Sequence, residues 1–234
     1  MVTVDFPKLN LKANDVVLDA GCGMGRHLRF LAKYPGLKIV GIDKNTGALR
    51  EALTSLENMP DALSKDYLVS EADIHRLPFA DTSFDCVICS EVLEHIPDHE
   101  AAVKELIRIL KPEGTLVLSV PRYYSEKLCW LISSDYYHSE GGHIRIYRKN
   151  ELKEMLMKQG FKCFNINYKH ALHMPYWWLK CIVGLNNEEN FLVKYYKNFL
   201  IRDMMRDHGF IRLLEDYLLN PIMGKSIVYY FRRG

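Results

Sequence analysis

VVLDAGCGMG, Val16–Gly25, is the stretch whose reading decides the fold. Five residues, apolar but for Asp19, read as a buried strand. Gly21, Gly23 and Gly25 let the chain turn tightly and let backbone approach a ligand closely. Arg26 to Tyr34 then shows helical spacing (Leu28, Leu31, Ala32) and stops at Pro35-Gly36. Outward from this unit the alternation repeats. Lys38 to Ile42, Asp66 to Ser70, Phe84 to Cys89 and Thr115 to Val120 are strand-like; Thr46 to Leu56 and Ala101 to Leu110 are helical, and residues 111–114 form a turn. Near-continuously apolar strands alternating with amphipathic helices predict an α/β, doubly wound, mostly parallel sheet covered on both faces.

After Pro121 the alternation breaks. Residues 121–142 read as an aromatic, irregular insert. Asn150 is placed to cap a helix from Glu151 to Gln159, Phe161 to Tyr168 is a strand, residues 170–222 are mostly helical, and Ser226 to Phe231 is a last strand. The expected organisation is a seven-stranded core of residues 1–169 and 225–234, an active-site insert at 121–142 and a helical cap at 170–224 before the last strand. The first strand comes so early that no N-terminal helix is expected to close the site, which leaves residues 121–142 and 170–222 to build an acceptor pocket. A helix from about Asn190, with Leu192, Tyr196, Phe199 and Leu200 on one side and Lys194, Lys197 and Arg202 elsewhere, fits a packed cap or a membrane-facing helix.

Composition narrows the function. Lys plus Arg is 31 against 29 Asp plus Glu, a net charge of +2, which argues against a protein built mainly to hold nucleic acid. The N-terminus carries no signal-peptide pattern, so the six cysteines are expected to be reduced and the protein cytoplasmic. Cys86 and Cys89 have redox-motif spacing but sit within one strand, where residues three apart face opposite ways. No stretch reaches about 18 apolar residues, the length a spanning helix needs.

The glycine turn closes the first strand, at the sheet edge where open α/β folds bind nucleotide-like ligands, and Asp43 ends the second strand where a carboxylate meets a ribose diol. A dinucleotide fingerprint would need glycine where Arg26 stands, and Asp19 sits poorly beside a pyrophosphate. The turn therefore suits a cationic cofactor without phosphates. Four blocks in order over residues 15–121, VVLDAGCGMG, VGIDKN, ADIHRLPFADTSFDCVICSEVLEHI and LKPEGTLVLSVP, resemble the class I S-adenosylmethionine-dependent methyltransferases. The resemblance implies that Asp19, Gly21, Gly23 and Gly25, with Cys22, surround the methionine part of S-adenosylmethionine. It implies that Asp43, with Lys44, meets the ribose, that Asp73 accepts from the adenine amino group with Ile74 on the ring, and that backbone near Cys89 faces the ammonium. Asp73 also reads as a cap for the residues after it, and Arg26 or His27 as a partner of the cofactor carboxylate or as a surface residue.

The fourth strand ends in SEVLEHIPD. Glu91, Glu94 and His95 stand at E-x-x-E-H spacing, which suits Mg²⁺ or another divalent cation. The spacing resembles the ubiquinone-biosynthesis O-methyltransferase branch and the enzymes that 2′-O-methylate small RNAs, where a later histidine completes the metal site. Gly141-Gly142-His143 supplies the matching His143, and the insert matches an aromatic segment that in the ubiquinone branch contacts membrane lipid. The long helical segment at 170–222 departs from that branch. Without a metal, His95 or His143 is the general base. His75, His99, His138, His170, His173 and His208 read as surface or core residues. The expected reaction is methylation of a small or lipid-linked hydroxyl compound, with peripheral contact to the inner face of a membrane. Metal-independent C-methylation of a quinone-type ring, RNA 2′-O-methylation and a non-catalytic cofactor-binding module remain open.

Overall fold

The computed structural model describes residues 2–138, 142–205 and 210–233; Gly141 and His208 lie outside them. The chain runs β1 (Val16–Ala20), α1 (Arg26–Leu31), β2 (Lys38–Asp43), α2 (Thr46–Glu57), β3 (Asp66–Glu71), β4 (Phe84–Ser90), α3 (His99–Ile109) and β5 (Leu110–Pro121). It continues as α4 (Tyr123–Ile132), α5 (Ser134–Tyr137), α6 (Glu151–Met157), β6 (Phe161–Lys169), α7 (His173–Val183), α8 (Phe191–Met205), α9 (Phe210–Leu214), α10 (Asn220–Met223) and β7 (Ser226–Arg233). The seven strands form one sheet in the order β3-β2-β1-β4-β5-β7-β6. β7 is antiparallel to both its neighbours, and the pairings among β1 to β5 are parallel.

Strand alternation divides the core. Leu18, Ala20, Val87, Cys89, Leu116 and Leu118 pack on one face, and Val17, Cys86, Ile88 and Val117 on the other. Cys86 and Cys89 thus fall on opposite sides as expected, and all six cysteines are free thiols. Asn45 and Asp98 cap α2 and α3 through Ala48 and Ala101 N–H groups.

Two expectations need correction. Residues 123–132 and 134–137 are helical rather than irregular. α4 buries Ser125, Glu126 and Cys129 on one side, so two polar residues form the inward stripe that apolar periodicity would miss. Asn150 makes no side-chain cap; the Glu151 carboxylate instead accepts from the Arg148 N–H. The residues before β1 are also structured. Val4, Phe6 and Leu9 join the second core cluster around a 3₁₀ turn at Phe6–Leu9, and the Thr3 hydroxyl lies 3.2 Å from His170 Nε2.

His170 and His173, with ring centroids 5.9 Å apart, sit at the entrance to the helical segment. Burial holds His173 down at about 4 and His170 well below its ordinary value, with charge repulsion adding to both. An unfolded histidine titrates near 6.5, so the unfolded chain takes up these protons first, and stability drops as pH falls from about 6.5 towards 4. His173→Phe is expected to remove part of that loss, of order 2 kcal/mol after allowing for partial exposure. Urea midpoints of both proteins at neutral and mildly acidic pH measure it, and identical pH slopes would contradict it.

Candidate active site

The ends of β1, β2 and β4 open onto a cleft of about 660 Å³. Gly21, Cys22, Gly23, Asp43, Lys44 and Ile74 line it, as do Arg26, Ser90, Glu91 and His95. Gly21 and Gly23 have φ of +79° and +50°, in the left-handed region that favours glycine. A Cβ at Gly21 would stand 2.3 Å from Val92 Cγ2, whereas one at Gly23 would meet nothing within 4 Å and would intrude on the cleft. Asp43 ties the loop to β2 by accepting from the Gly23 and Asn45 N–H groups at 2.8 and 2.9 Å.

The remaining cofactor candidates lie outside the lining. Asp19 is fully buried under the loop, 3.5 Å from His27 Nδ1, and neither of its oxygens has a hydrogen-bond partner among the described residues. Gly25 starts α1 in left-handed geometry, with Ala52 Cβ 2.9 Å from where its own Cβ would be. The Cys89 side chain points into the core, and the next two residues line the cleft instead. Asp73 organises a local turn. It accepts from the His75 N–H and faces Lys44 Nζ at 3.0 Å, contacts that hold its carboxyl well below the usual range. Burial, with Asp19 and Asp43 nearby, pushes the Cys22 thiol up and keeps it protonated.

Arg26, which opens α1, donates to Ser90 Oγ at 3.3 Å. Ser90 and Ser119 hydroxyls are 2.8 Å apart, and Ser119 Oγ donates to Glu91 Oε1 at 2.9 Å. With Ser119 committed as donor to a carboxylate, Ser90 must donate to Ser119. This directed chain crosses the cleft floor and holds Glu91, whose backbone takes a left-handed φ of +58°.

Glu91 is therefore drawn away from its expected companions. Glu94, His95 and His143 do converge, with ligand atoms all within 4.8 Å of one another. Glu94 is fully buried, and both its carboxyl oxygens lack a hydrogen-bond partner among the described residues. Burial, then the Glu91 charge, pushes its carboxyl well above the ordinary range. His95 Nδ1 lies 3.1 Å from the Gly142 carbonyl and His143 Nδ1 lies 2.8 Å from Glu126 Oε2. Both partners are acceptors, so each Nδ1 carries the proton and each Nε2 keeps its lone pair. Burial, then repulsion by His143, lowers the His95 pKa and favours the neutral ring.

Sequence reasoning missed Glu126. It is 1% exposed on α4, accepts from His143, and is also bonded by the Tyr136 hydroxyl at 3.0 Å. Burial raises its pKa, but the hydrogen bond from His143, with the Lys225 charge and the Tyr136 hydrogen bond, leaves it lowered overall. A charged residue at an inward position of a helix otherwise rich in aromatics was the available signal. A carboxylate behind an imidazole fixes the ring and its tautomer. If the Glu94–His95–His143 group takes a cation, Glu126→Gln is expected to weaken Co²⁺ or Mn²⁺ binding by about 10–100-fold. Titration of Co²⁺ absorption measures this, and unchanged affinity would remove Glu126 from that role.

The methyltransferase domain family matches residues 18–118. Demethylmenaquinone methyltransferase of Lactobacillus johnsonii is 32% identical over 177 residues, covering 67% of this chain and 72% of that protein. A sterol 24-C-methyltransferase of Neurospora crassa is 26% identical over 97% of this chain and 61% of its own length. The chain spans only 35% to 40% of the length of other curated relatives that it matches. In fold, it is similar to a SAM-dependent methyltransferase from Methanosarcina mazei, with a TM-score of 0.65 and 18% identity over 100% of this chain and 99% of that one.

Proposed function

This chain belongs to the class I S-adenosylmethionine-dependent methyltransferases, and from that premise we propose that it methylates a hydroxyl of a small or lipid-linked acceptor at the Glu94–His95–His143 cluster. The observation that carries this reading is Glu94, a buried carboxyl without a partner beside two imidazoles whose Nε2 atoms are free to accept. His95 belongs both to this cluster and to the cofactor cleft, so the acceptor-activating groups and the methyl donor share one space.

The cleft fits the cofactor: its glycine loop leaves space that a side chain would fill, and Asp43 stands beside it. S-adenosylmethionine supplies the methyl on a sulfonium and leaves as a neutral thioether. The loop and Asp43 hold the nucleoside, and the chain from Arg26 to Glu91 fixes the floor. With S-adenosylmethionine bound, the acceptor oxygen would take the methyl group as its proton passes to His143 Nε2 or His95 Nε2. Glu126 stabilises the charge that then forms on His143. Most of the rate gain expected from such a site comes from alignment and water exclusion.

The same three side chains suit a divalent cation, which would lower the pKa of the acceptor hydroxyl. One carboxylate and two imidazoles favour Mn²⁺, Fe²⁺ or Zn²⁺ over Mg²⁺, which prefers oxygen donors. The test is methyl transfer from labelled cofactor to polyprenyl phenols and catechols, with and without chelator. Formation of methyl ether that falls with chelation and returns with Mn²⁺ supports metal assistance; chelator-resistant ether formation assigns the proton to histidine.

C-methylation of a quinone-type ring is the second reading. The demethylmenaquinone and sterol relatives favour it. It predicts a new carbon–carbon bond in the product, insensitive to chelator. Among the described residues no helix is long and apolar enough to cross a membrane. Large apolar side chains are nevertheless exposed on α4 and α8 (Leu131 at 74%, Phe191 at 75%), which suits an acceptor collected from a lipid surface.

A further inference from the structure

A second cavity, of about 430 Å³, lies between the start of α4, residues 147–149 and strands β6 and β7, and no residue lines both it and the cofactor cleft. Its walls are tyrosines, among them Tyr123, Tyr168 and Tyr229, and its cations are Arg122, Arg148 and Lys149. No acidic residue lines it.

The cations are held without being neutralised. Arg122 Nη1 donates to the Pro221 and Ile222 carbonyls at 3.2 and 2.9 Å, and its guanidinium lies 4.5 Å from the centroid of the Tyr168 ring. These contacts fix the group and leave its charge unpaired. The nearby Glu151 carboxylate is taken by the backbone N–H of Arg148, and no ion pair of Arg122, Arg148 or Lys149 occurs among the described residues. The Tyr229 hydroxyl bonds the Lys149 carbonyl, which pins the segment carrying two of the cations against β7. Arg122 also stands at the N-cap of α4, which has no side-chain cap. A cation is the wrong charge for that helix end unless an anion joins it.

We propose that this cavity is a binding site for a phosphate monoester whose organic part is aromatic or similarly flat and apolar. Arg122 fixed in the wall and two further cations on the exposed rim match a dianion better than a carboxylate, and planar guanidiniums pair with phosphate oxygens two at a time. The tyrosine faces take the organic part. The site takes no residue from the Glu94–His95–His143 cluster, although Tyr147 in its wall bonds the Leu93 carbonyl next to Glu94.

The test uses calorimetry on the full chain with the cofactor cleft saturated by S-adenosylhomocysteine. Phenyl phosphate is expected to bind more tightly than inorganic phosphate and to weaken as salt is raised. Arg148→Glu combined with Lys149→Glu, both on the exposed rim, is expected to weaken phenyl phosphate by about tenfold or more, with S-adenosylhomocysteine affinity unchanged. A parallel arm uses vesicles containing phosphatidic acid, whose headgroup is a phosphate monoester. Vesicle binding that the double variant also loses would make the phosphate a lipid headgroup; a response to phenyl phosphate alone would make it a soluble ester. No binding in either arm, or binding that the double variant leaves intact, overturns the proposal.

Discussion

Glu94→Gln is expected to lower turnover by about 10²–10³-fold while leaving the Kd for S-adenosylmethionine within a few-fold. The side chain is fully buried, and its oxygens have no partner among the described residues, so they are open to a ligand at the cluster. Glutamine keeps the volume and removes the capacity to become a carboxylate. Because burial and Glu91 already favour the neutral acid, folding stability should hardly change. On the metal-assisted reading, which makes Glu94 one of three ligands, titration with Mn²⁺ should show affinity reduced by about 100-fold. A variant that keeps full turnover and full metal affinity would displace Glu94 from the centre of the site. One with a much lower Tm would mean the residue serves the fold.

Gly21→Ala has the other large effect. The residue sits at φ +79°, and its Cβ would stand 2.3 Å from Val92 Cγ2. Val92 lies between Glu91 and the Glu94–His95 turn, so relieving the clash moves the glycine loop, Val92 or the segment that carries Glu94 and His95. Cofactor affinity is expected to fall by about 100-fold, the equivalent of roughly 2.7 kcal/mol. Gly160 is the control: φ is +85°, nothing stands within 4 Å, and it is far from the cleft in sequence. Gly160→Ala should cost about 1 kcal/mol of stability and no cofactor affinity. Equal cofactor binding by wild type and Gly21→Ala would refute the role assigned to the loop.

The parallel half of the fold was legible because its strands are short apolar runs alternating with amphipathic helices, the first of which stops at Pro35-Gly36; the caps Asn45 and Asp98 emerged only in the structure. The loop glycines and Asp43 were legible for the same reason, since backbone geometry restricts which residues can serve there. Helix α4 was not, because its buried face carries Ser125 and Glu126, and a hydrophobic period cannot reveal a polar stripe. The departure of Glu91 from the cluster was equally hidden. It depends on Ser119, 28 positions away on the neighbouring strand, and only the register between β4 and β5 brings the two together. Side chains whose partners are fixed by long-range pairing leave no local pattern. Glu126 and His143, 17 positions apart across the insert, are another such pair.

The insertion of β7 between β5 and β6 has a consequence for how the molecule assembles. β6 pairs with no other strand in the sheet, so its strand hydrogen bonds form only once β7, which follows residues 170–225, is in place. Such a non-local closure is slow compared with the nearest-neighbour zipping of β1 to β5. A nucleotide-holding half that matures early, beside an acceptor-side half that matures late, would let the small cofactor seat itself and template the remainder.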